Sequence, residues 1–430
     1  MATTNDLINV LRRNGVTGGG DLARLLGISP ATLSRLVRAA ASQVIRLGRT
    51  RGVRYGLLDE APQIGSTLPV WMINERGEPQ PFGNLSLLHG PGYWLEFHAQ
   101  HPGKLYEGTP PFISDMAPQG YLGRTFPDRF PELDLPPRII DWSDTHQLQA
   151  VARRGEDAPG NLVVGAESMD RFLARRTTVI LPREYPEITR DLARQGTGSS
   201  AGGEYPKFTA FNGEQHVIVK FTSGDGSPAD QRWRDLLASE AIAAETLRRA
   251  GHAAVTTRIH DIGEQRFLEI ERFDRPGKIG RRGILSLAAL DDDRYGKRDN
   301  WVAAADRLFN DTLINNADLE QIRFLETFGR LIGNTDRHFG NITFFWHMLP
   351  REELKLAPAY DMLPMMFAPA TGGMIVERPF EMPPPTSSLL SAWPHALDCA
   401  RAYWAAVQND ERISRSFREI AAHVGQKLKA

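Results

Sequence analysis

The sequence has one cysteine, no internal repeat, no low-complexity segment and no long hydrophobic run. The single thiol, Cys399, excludes an internal disulfide framework and is typical of proteins in a reducing compartment. No apolar stretch approaches the roughly eighteen residues that a membrane span needs, and no charged-then-apolar leader opens the chain. We therefore expect a soluble, cytoplasmic protein that does not interact with a membrane.

The net charge of −1 over 430 residues conceals one strongly basic section at the N-terminus. Residues 1–60 hold nine arginines and four acidic residues, a net charge of +5. The length predicts two or three domains, and the 41% of apolar residues suffice for a sizeable core. The change in composition indicates that the basic section is a domain of its own.

The basic section has the pattern of a winged helix-turn-helix. The segment GGGDLARLLGISPATLSRLVRAA predicts a short helix capped by Asp21, a turn from Gly27 to Ser29, and a second helix with Pro30 at its first position. Residues 46–57 predict a hairpin that would serve as the wing. The predicted contacts to double-stranded DNA are Thr32, Ser34, Arg35, Arg38, Arg49, Arg51 and Arg54. The alternative is a small helical packing domain with a solvated basic face.

The segment GNTDRHFGNITFF, residues 333–345, places Asp336 and Asn341 five positions apart, and APAYDML, residues 357–363, adds Asp361. Phosphoryl transfer needs one carboxylate to orient a hydroxyl nucleophile, and an amide and a second carboxylate to hold magnesium. The spacing alone is common by chance. The hypothesis of a phosphoryl-transfer site therefore depends on the other parts that such a site requires.

One such part is the glycine-rich segment GTGSSAGGEYPKFTAF, residues 196–211, which leads into the apolar strand HVIVKF. A glycine-rich turn between strands lets backbone amides approach phosphate oxygens. It is not a Walker A loop, because Glu204 stands where the lysine should be and a strand follows. The candidate phosphate-binding residues are Gly198, Ser199, Ser200, Gly202, Gly203 and, at the end of the strand, Lys220. The alternative for Lys220 is an edge-strand lysine with its ammonium in solvent.

A helix predicted over residues 229–250 carries two acids that could pair with Lys220. We favour Glu240, because Glu245 has arginines as local helix partners. The segment RFLEIERFDR, residues 266–275, predicts a strand that runs into a crossover, where a kinase hinge offers backbone groups to adenine. Residues 287–331 and the tail have helical patterns.

Together GSSAGGEYPKF, the lysine strand, IERFDR, NTDRHFGN and APAYDML resemble the motifs of the HipA-type serine/threonine kinases, the toxins of type II toxin–antitoxin modules. YWLEF, MAPQGYLGR and GEDAPGNLVVG are similar to the N-terminal subdomain of that family, so the resemblance covers about residues 66 to 400. It implies ATP and Mg²⁺ as cofactors. It also implies a protein substrate, such as an aminoacyl-tRNA synthetase or another translation protein, and raises an antitoxin and a homodimer as partners.

By position, the resemblance implies Asp336 as the catalytic base, Lys220 as the phosphate lysine, and Asn341 and Asp361 as magnesium ligands. Further implied sites are the adenine and ribose contacts Glu271, Phe273 and Asp274, and the autophosphorylated loop serines Ser199 and Ser200. A phosphate in the loop would oppose nucleotide binding. Unlike in ordinary protein kinases, the histidine follows the aspartate, and His338 either orients Asp336 or packs within the loop.

The predicted fold class is α+β: a bilobed protein-kinase-like fold, with a mixed β-rich N-lobe and a helical C-lobe, preceded by a small winged helix-turn-helix domain. The predicted domains are residues 1–62 for DNA binding, 63–180 for a β-rich HipA-like subdomain, 181–275 for the N-lobe and 276–430 for the C-lobe. The fused DNA-binding domain departs from the family, in which DNA binding usually belongs to the antitoxin chain. The need for a separate antitoxin is therefore open.

The sequence thus predicts an ATP- and Mg-dependent protein serine/threonine kinase, toxin-like, with an N-terminal DNA-binding domain. One alternative is a DNA-binding transcriptional regulator with a non-catalytic, nucleotide-sensing kinase-like module. The intact set Asp336, Asn341 and Asp361 argues against it. Another is a metal-dependent nuclease that uses residues 336–341, which leaves the glycine-rich loop and Lys220 without a role.

Overall fold

In a computed structural model the chain forms two compact units. The first comprises Met1–Asn74, Glu78–Pro118 and Pro131–Arg175, and the second Glu75–Gly77, Gln119–Phe130 and Arg176–Ala430. The structure describes residues 2–48, 52–90, 92–98, 102–194, 206–347 and 353–429. Several predicted site residues lie outside these ranges: Arg49, Arg51, Gly198, Ser199, Ser200, Gly202 and Gly203.

The first unit begins with three helices and a small antiparallel sheet. The order is α1 (Thr4–Asn14), β1 (Thr17–Gly18), α2 (Gly19–Leu26), α3 (Pro30–Ala39), β2 (Val44–Leu47) and β3 (Arg54–Leu57), with strand order β1-β3-β2. Gly27 ends α2 in the left-handed region, at φ 63°, where a side chain would be strained. Ser29 caps α3 by accepting the Thr32 N–H. The predicted cap at Asp21 is wrong, because α2 begins two residues earlier and Asp21 pairs with Arg24 in its first turn, at 3.0 Å.

The rest of the first unit is built on a five-stranded antiparallel sheet of order β7-β6-β5-β4-β8. Its elements are β4 (Thr67–Ile73), β5 (Pro79–Leu88), β6 (Gly92–Phe97), β7 (Lys104–Tyr106), α4 (Pro111–Met116), α7 (Asp144–Arg154), β8 (Leu162–Val164) and α8 (Ala166–Ala174). Between α4 and α7 the chain forms α5 (Gly120–Arg124) and α6 (Phe126–Arg129), which belong to the second unit. Leu47 of the N-terminal section packs with Leu88 and Trp94 of the five-stranded sheet. The two sections therefore share buried contacts within one unit.

The second unit continues with a four-stranded antiparallel sheet of order β11-β12-β10-β9. Its elements are α9 (Tyr185–Arg194), β9 (Lys207–Phe211), β10 (His216–Phe221), α10 (Pro228–Arg249), β11 (Thr257–Ile262) and β12 (Gln265–Glu271). The long helix α10 packs against β11 and β12 and, farther along the chain, against the helix that starts at Trp393. It is capped by Ser227, with Pro228 at its first position.

The remainder of the second unit is mainly helical. Its elements are β13 (Ile284–Ser286), α11 (Leu287–Arg294), α12 (Trp301–Asn310), α13 (Asn316–Leu331), β14 (Thr343–Phe345), β15 (Lys355–Leu356), α14 (Trp393–Asn409) and α15 (Arg415–Lys427). The strands pair in the order β13-β14-β15. A large buried cluster holds the helices together, and Trp301, Phe328 and Trp404 are among its fully buried side chains. Within the described ranges, no helix is long and apolar enough to cross a bilayer.

Candidate active site

Lys220 and Glu240 meet in the interior of the second unit, and the partly exposed Asp361 reaches the same lysine. The Lys220 Nζ lies 2.8 Å from Glu240 Oε1 and 2.5 Å from Asp361 Oδ1. Lys220 is 7% exposed and Glu240 is 3% exposed, so the ion pair is buried. Strand β10 has a neighbour on each side, β12 and β9. The alternative of an edge-strand lysine with its ammonium in solvent is therefore wrong.

Burial and the neighbouring charges shift the pKa values of Lys220, Glu240 and Asp361. Burial alone would lower the pKa of Lys220, but the carboxylates of Asp361 and Glu240 outweigh it and raise that pKa. Burial raises the pKa of Glu240 to about 6 in spite of the lysine. Burial would also raise the pKa of Asp361, but Lys220, Lys207 and His338 together hold it below its usual value. At neutral pH the cluster thus holds a charged lysine between two carboxylates.

The raised pKa of Glu240 predicts a pH-dependent stability term. The folded chain keeps a proton on Glu240 up to about pH 6, whereas the unfolded chain releases it near the ordinary glutamate pKa of 4.5. This contribution is therefore present below about pH 4.5 and is lost as the pH rises through 6. We expect the free energy of unfolding of the wild type to fall across this window relative to Glu240→Gln, by on the order of 2 kcal/mol. Denaturant unfolding of both proteins at several pH values tests this, and parallel curves would contradict it.

Asp336 and Asn341 lie in the loop that follows α13. The Asp336 side chain is exposed, and its backbone N–H donates to Asn334 Oδ1 at 3.0 Å. Asn341 is buried, and its Nδ2 donates to the Asp336 carbonyl at 2.9 Å. This bond uses the amide nitrogen, so the Asn341 Oδ1 is the atom of this side chain that could bind a cation. Asn334 also donates to the Asp361 carbonyl, at 3.4 Å, and so connects the two loops.

The loop is held against α13 and against the segment after Asp361. Arg337 donates to the Asn334 carbonyl and, at 3.4 Å, to Glu326 on α13. Gly333, two residues after the last residue of α13, has φ 73°, and a Cβ there would lie 2.6 Å from the Met366 sulfur. The position requires glycine for its backbone conformation and for the space. Asp361 itself has φ 58°, a left-handed conformation that aspartate tolerates better than most residues.

His338 is exposed and begins the short turn at residues 339–341. Its Nδ1 accepts the Gly340 N–H at 3.1 Å, and its carbonyl accepts the Trp301 indole N–H at 3.0 Å. The ring is thus engaged with the backbone of its own loop.

The predicted hinge residues lie at and beyond the end of β12. The Glu271 N–H donates to the Thr256 carbonyl at 2.9 Å. Phe273 packs on Phe345 and Tyr360, each with ring centroids 5.8 Å away. Asp274 is buried, and its carboxylate receives N–H groups of two arginines, Arg272 at 3.0 Å and Arg275 at 2.5 Å. Both oxygens of Asp274 are engaged, since Arg272 also donates to Oδ1 at 3.1 Å.

Two residues near the site were missed from the sequence. Asn334 is fully buried and joins the loops of Asp336 and Asp361, a role to which no local pattern points. Lys207 stands directly opposite Lys220 in the pairing of β9 and β10. Its charge lowers the pKa of both carboxylates that hold Lys220. Its position in the sequence, at the end of the glycine-rich segment, could have identified Lys207 as a site residue.

The arrangement offers groups suited to an anion and groups suited to a divalent cation. Lys207 and Lys220 supply positive charge, and Asp361 and Asn341 supply oxygen ligands of the kind that Mg²⁺ prefers. In the described part of the chain, no three His, Cys, Asp or Glu side chains are grouped so as to hold a metal ion. A magnesium ion here would need further oxygens from water and from phosphates, as is usual for this ion. The donor set therefore fits a magnesium–nucleotide complex better than a protein cage for a bare ion.

Comparisons with known proteins agree with one another. Residues 199–428 match the HipA-like C-terminal domain, and residues 64–173 match the middle domain of YjjJ-like toxins. The chain is 35% identical to the toxin YjjJ of Escherichia coli (strain K12) over 427 residues, which cover 96% of this chain and 95% of that protein. The chain belongs to the HipA-like toxin family.

Two solved structures resemble the structure of this HipA-like toxin. A chain of the Shewanella oneidensis MR-1 toxin–antitoxin complex of HipA, HipB and operator DNA is 15% identical, with a TM-score of 0.54, and the match covers 84% of this chain and 95% of that one. The Helicobacter pylori proinflammatory kinase CtkA is 14% identical, with a TM-score of 0.37 and coverage of 53% and 89%. The fold is mixed α+β and like that of the HipA chain.

Proposed function

We propose that this HipA-like toxin is an ATP- and Mg-dependent protein serine/threonine kinase. The observation that carries the proposal is the continuous set of contacts from Lys220 through Asp361 and Asn334 to Asp336. It joins a buried lysine of the β sheet to two separate loops, each of which carries an aspartate. A transcriptional regulator with a retired site would not need this set to be intact.

Each residue of the set has a role in this proposal. Bound MgATP supplies the phosphoryl group and the cation that screens its charge. Lys220 holds the phosphates, Glu240 holds Lys220, and Asn341 and Asp361 provide oxygen ligands for the cation. Asp336 orients the serine or threonine hydroxyl of the substrate and accepts its proton. His338 supports the loop through its bond to Gly340.

Further residues would bind the rest of the nucleotide. In the proposal Glu271, Phe273 and Asp274 line the adenine and ribose site, and two arginines hold the Asp274 carboxylate in place. Gly198, Gly202 and Gly203 let backbone amides reach the phosphates. Ser199 and Ser200 are the proposed autophosphorylation sites, where added phosphate would repel the nucleotide.

The kinase proposal is tested by incubating the purified full chain with Mg²⁺ and ATP radiolabelled in the γ-phosphate. We expect label on the chain itself or on a protein of a cell lysate, and none with Asp336→Asn. No label with the wild type, or equal label with both proteins, would refute the proposal. Nucleotide binding without transfer, together with operator binding that changes with ATP, would favour the alternative of a nucleotide-sensing regulator.

We further propose that residues 1–62 form a winged helix-turn-helix domain that binds double-stranded DNA. Ser34, Arg35 and Arg38 are exposed on α3, and Thr32 is half-buried on the same helix. Arg54 is exposed at the start of β3, on the hairpin that would carry Arg49 and Arg51. The HipA relative was solved with HipB and operator DNA. Here the DNA-binding part would lie on the toxin chain itself.

For DNA binding, Arg35→Ala and Arg38→Ala should each weaken binding to the operator and lower the salt dependence of the binding constant. Each lost phosphate contact reduces the slope of log K against log salt by about 1. Fluorescence anisotropy at several salt concentrations measures both quantities. Arg13→Ala is the matched control, because Arg13 is exposed on α1 and not on α3. Unchanged affinity and slope for both α3 variants would remove this part of the proposal.

The proposed partners follow from the family. The substrate would be a cellular protein, such as an aminoacyl-tRNA synthetase or another translation protein. An antitoxin and a homodimer are further predictions, as is the division into domains at residues 62, 180 and 275. Phosphoproteomics after brief expression of the wild type and of Asp336→Asn would identify the substrate.

A further inference from the structure

A second group of buried contacts lies on α10, away from Lys220. Asp235 is 1% exposed and stands five residues before Glu240 in the same helix, about 7.5 Å along its axis. Its two carboxylate oxygens accept hydrogen bonds from Ser414, the residue just before α15. The Ser414 backbone N–H donates to Oδ1 at 2.7 Å, and the Ser414 hydroxyl donates to Oδ2 at 2.6 Å.

In this junction between Asp235 and Ser414, the Ser414 hydroxyl makes two hydrogen bonds. While its hydroxyl donates to Asp235, the same oxygen accepts the Phe417 N–H at 3.3 Å and caps α15. The helix α15 therefore has its own cap and does not need Asp235 for that purpose. Burial raises the pKa of Asp235, although the hydrogen bonds from Ser414 oppose the rise. Burying this carboxylate therefore lowers the stability of the folded state.

Arg232, one turn earlier, makes a second connection from α10. It donates to the Phe367 carbonyl at 2.9 Å, six residues after Asp361, and its guanidinium lies 5.1 Å from the centre of the Phe417 ring. Farther along α10, the fully buried Tyr403 of α14 lies beside Ser239 and Glu240. The helix that carries Glu240 is thus attached to the C-terminal helices at several points.

We propose that Asp235 and Ser414 are positioning residues that hold α10 where Glu240 reaches Lys220, so that α15 acts as a built-in clamp on the nucleotide lysine. The inference rests on the proposed kinase function. A rotation or tilt of α10 would withdraw Glu240 from the ammonium that it holds at 2.8 Å. The clamp keeps the lysine ready for phosphates without a separate activating partner.

The test compares Asp235→Ala, Ser414→Ala and the double variant in the full chain. Hydrogen–deuterium exchange of residues 228–249 without nucleotide reports on α10, and steady-state kinetics separate KM for MgATP from kcat. We expect each single variant to raise both the exchange rate of α10 and KM by about tenfold, the factor that corresponds to about 1.4 kcal/mol, with a smaller change in kcat. The double variant should be no worse than either single one, because both changes break the same junction.

Conservative variants and a control separate the clamp from general loss of stability. Asp235→Asn and Ser414→Thr keep a hydrogen-bonded junction and should stay within about twofold of the wild type. Asn315→Ala removes a cap from α13, far from α10 in the chain, and should lower the melting temperature without changing α10 exchange or KM. If the wild type transfers phosphate and both alanine variants keep its α10 exchange and its KM, the clamp is refuted. If the wild type transfers no phosphate, the kinase proposal fails whatever the variants do.

Discussion

Asp336→Asn should lower kcat for phosphate transfer by about 10² to 10⁴-fold, the usual contribution of a positioned base. The Asp336 carboxylate is exposed and points out of a loop whose shape depends on backbone atoms. Its N–H and C=O bond to Asn334 and Asn341, and neither bond uses the side chain. The variant should therefore keep the loop and lose the proton acceptor.

The kinetic pattern distinguishes a lost base from a damaged site. KM for MgATP should change little, because Lys220, Asn341 and Asp361 are untouched. The free energy of unfolding should stay within about 0.5 kcal/mol of the wild type, as is common for exposed positions. Asp398→Asn is the matched control, because Asp398 is also an exposed aspartate and lies on α14. Equal kcat values for wild type and Asp336→Asn would show that Asp336 is not the base.

Lys220→Met should destabilise the fold and abolish nucleotide binding together. The substitution leaves Glu240 buried without the cation that it contacts at 2.8 Å, and it removes the partner of Asp361. Removing one member of a buried ion pair costs about 3 to 5 kcal/mol. For a unit of this size that corresponds to a fall in melting temperature on the order of 10 °C.

A second substitution separates the two effects of Lys220→Met. Adding Glu240→Gln removes the buried unpaired charge, so part of the stability should return while nucleotide binding stays lost. Lys207→Met is the control for stability alone, because Lys207 is half-buried beside the site and its loss leaves no buried acid without a partner. Thermal unfolding and titration with a fluorescent ATP analogue measure both quantities. If Lys220→Met melts like the wild type, the ion pair does not have this energetic role.

Local patterns predicted many elements close to their observed bounds. The strand HVIVKF is β10, and the helix predicted over 229–250 is α10, Pro228–Arg249. Such segments have a clear period and clear end signals, such as Ser227 and Pro228 before the helix. The cap of α2 was placed wrongly, because a glycine at its N-terminus gives no side-chain signal and Asp21 does.

The sequence also favoured Glu240 over Glu245 as the partner of Lys220, from the arginines near Glu245. In the structure Glu240 contacts Lys220, while Glu245 pairs with Arg249 at 2.5 Å. Local helix spacing was informative here because the competing pair is four residues apart. The residues of the junction between Asp235 and Ser414 had no such signal, since they are 179 positions apart.

The sequence by itself determined which chemical groups are present, their order along the chain and the local elements that carry them. Only the tertiary structure decided that Lys220 and Asp361, 141 positions apart, come within 2.5 Å, that Asn334 links the two loops, and that Asp361 takes a left-handed backbone. Periodicity and capping act over a few residues, so they specify helices and strands. Burial and the pairing of buried charges depend on which distant segments pack together, and these contacts decide the geometry of the site.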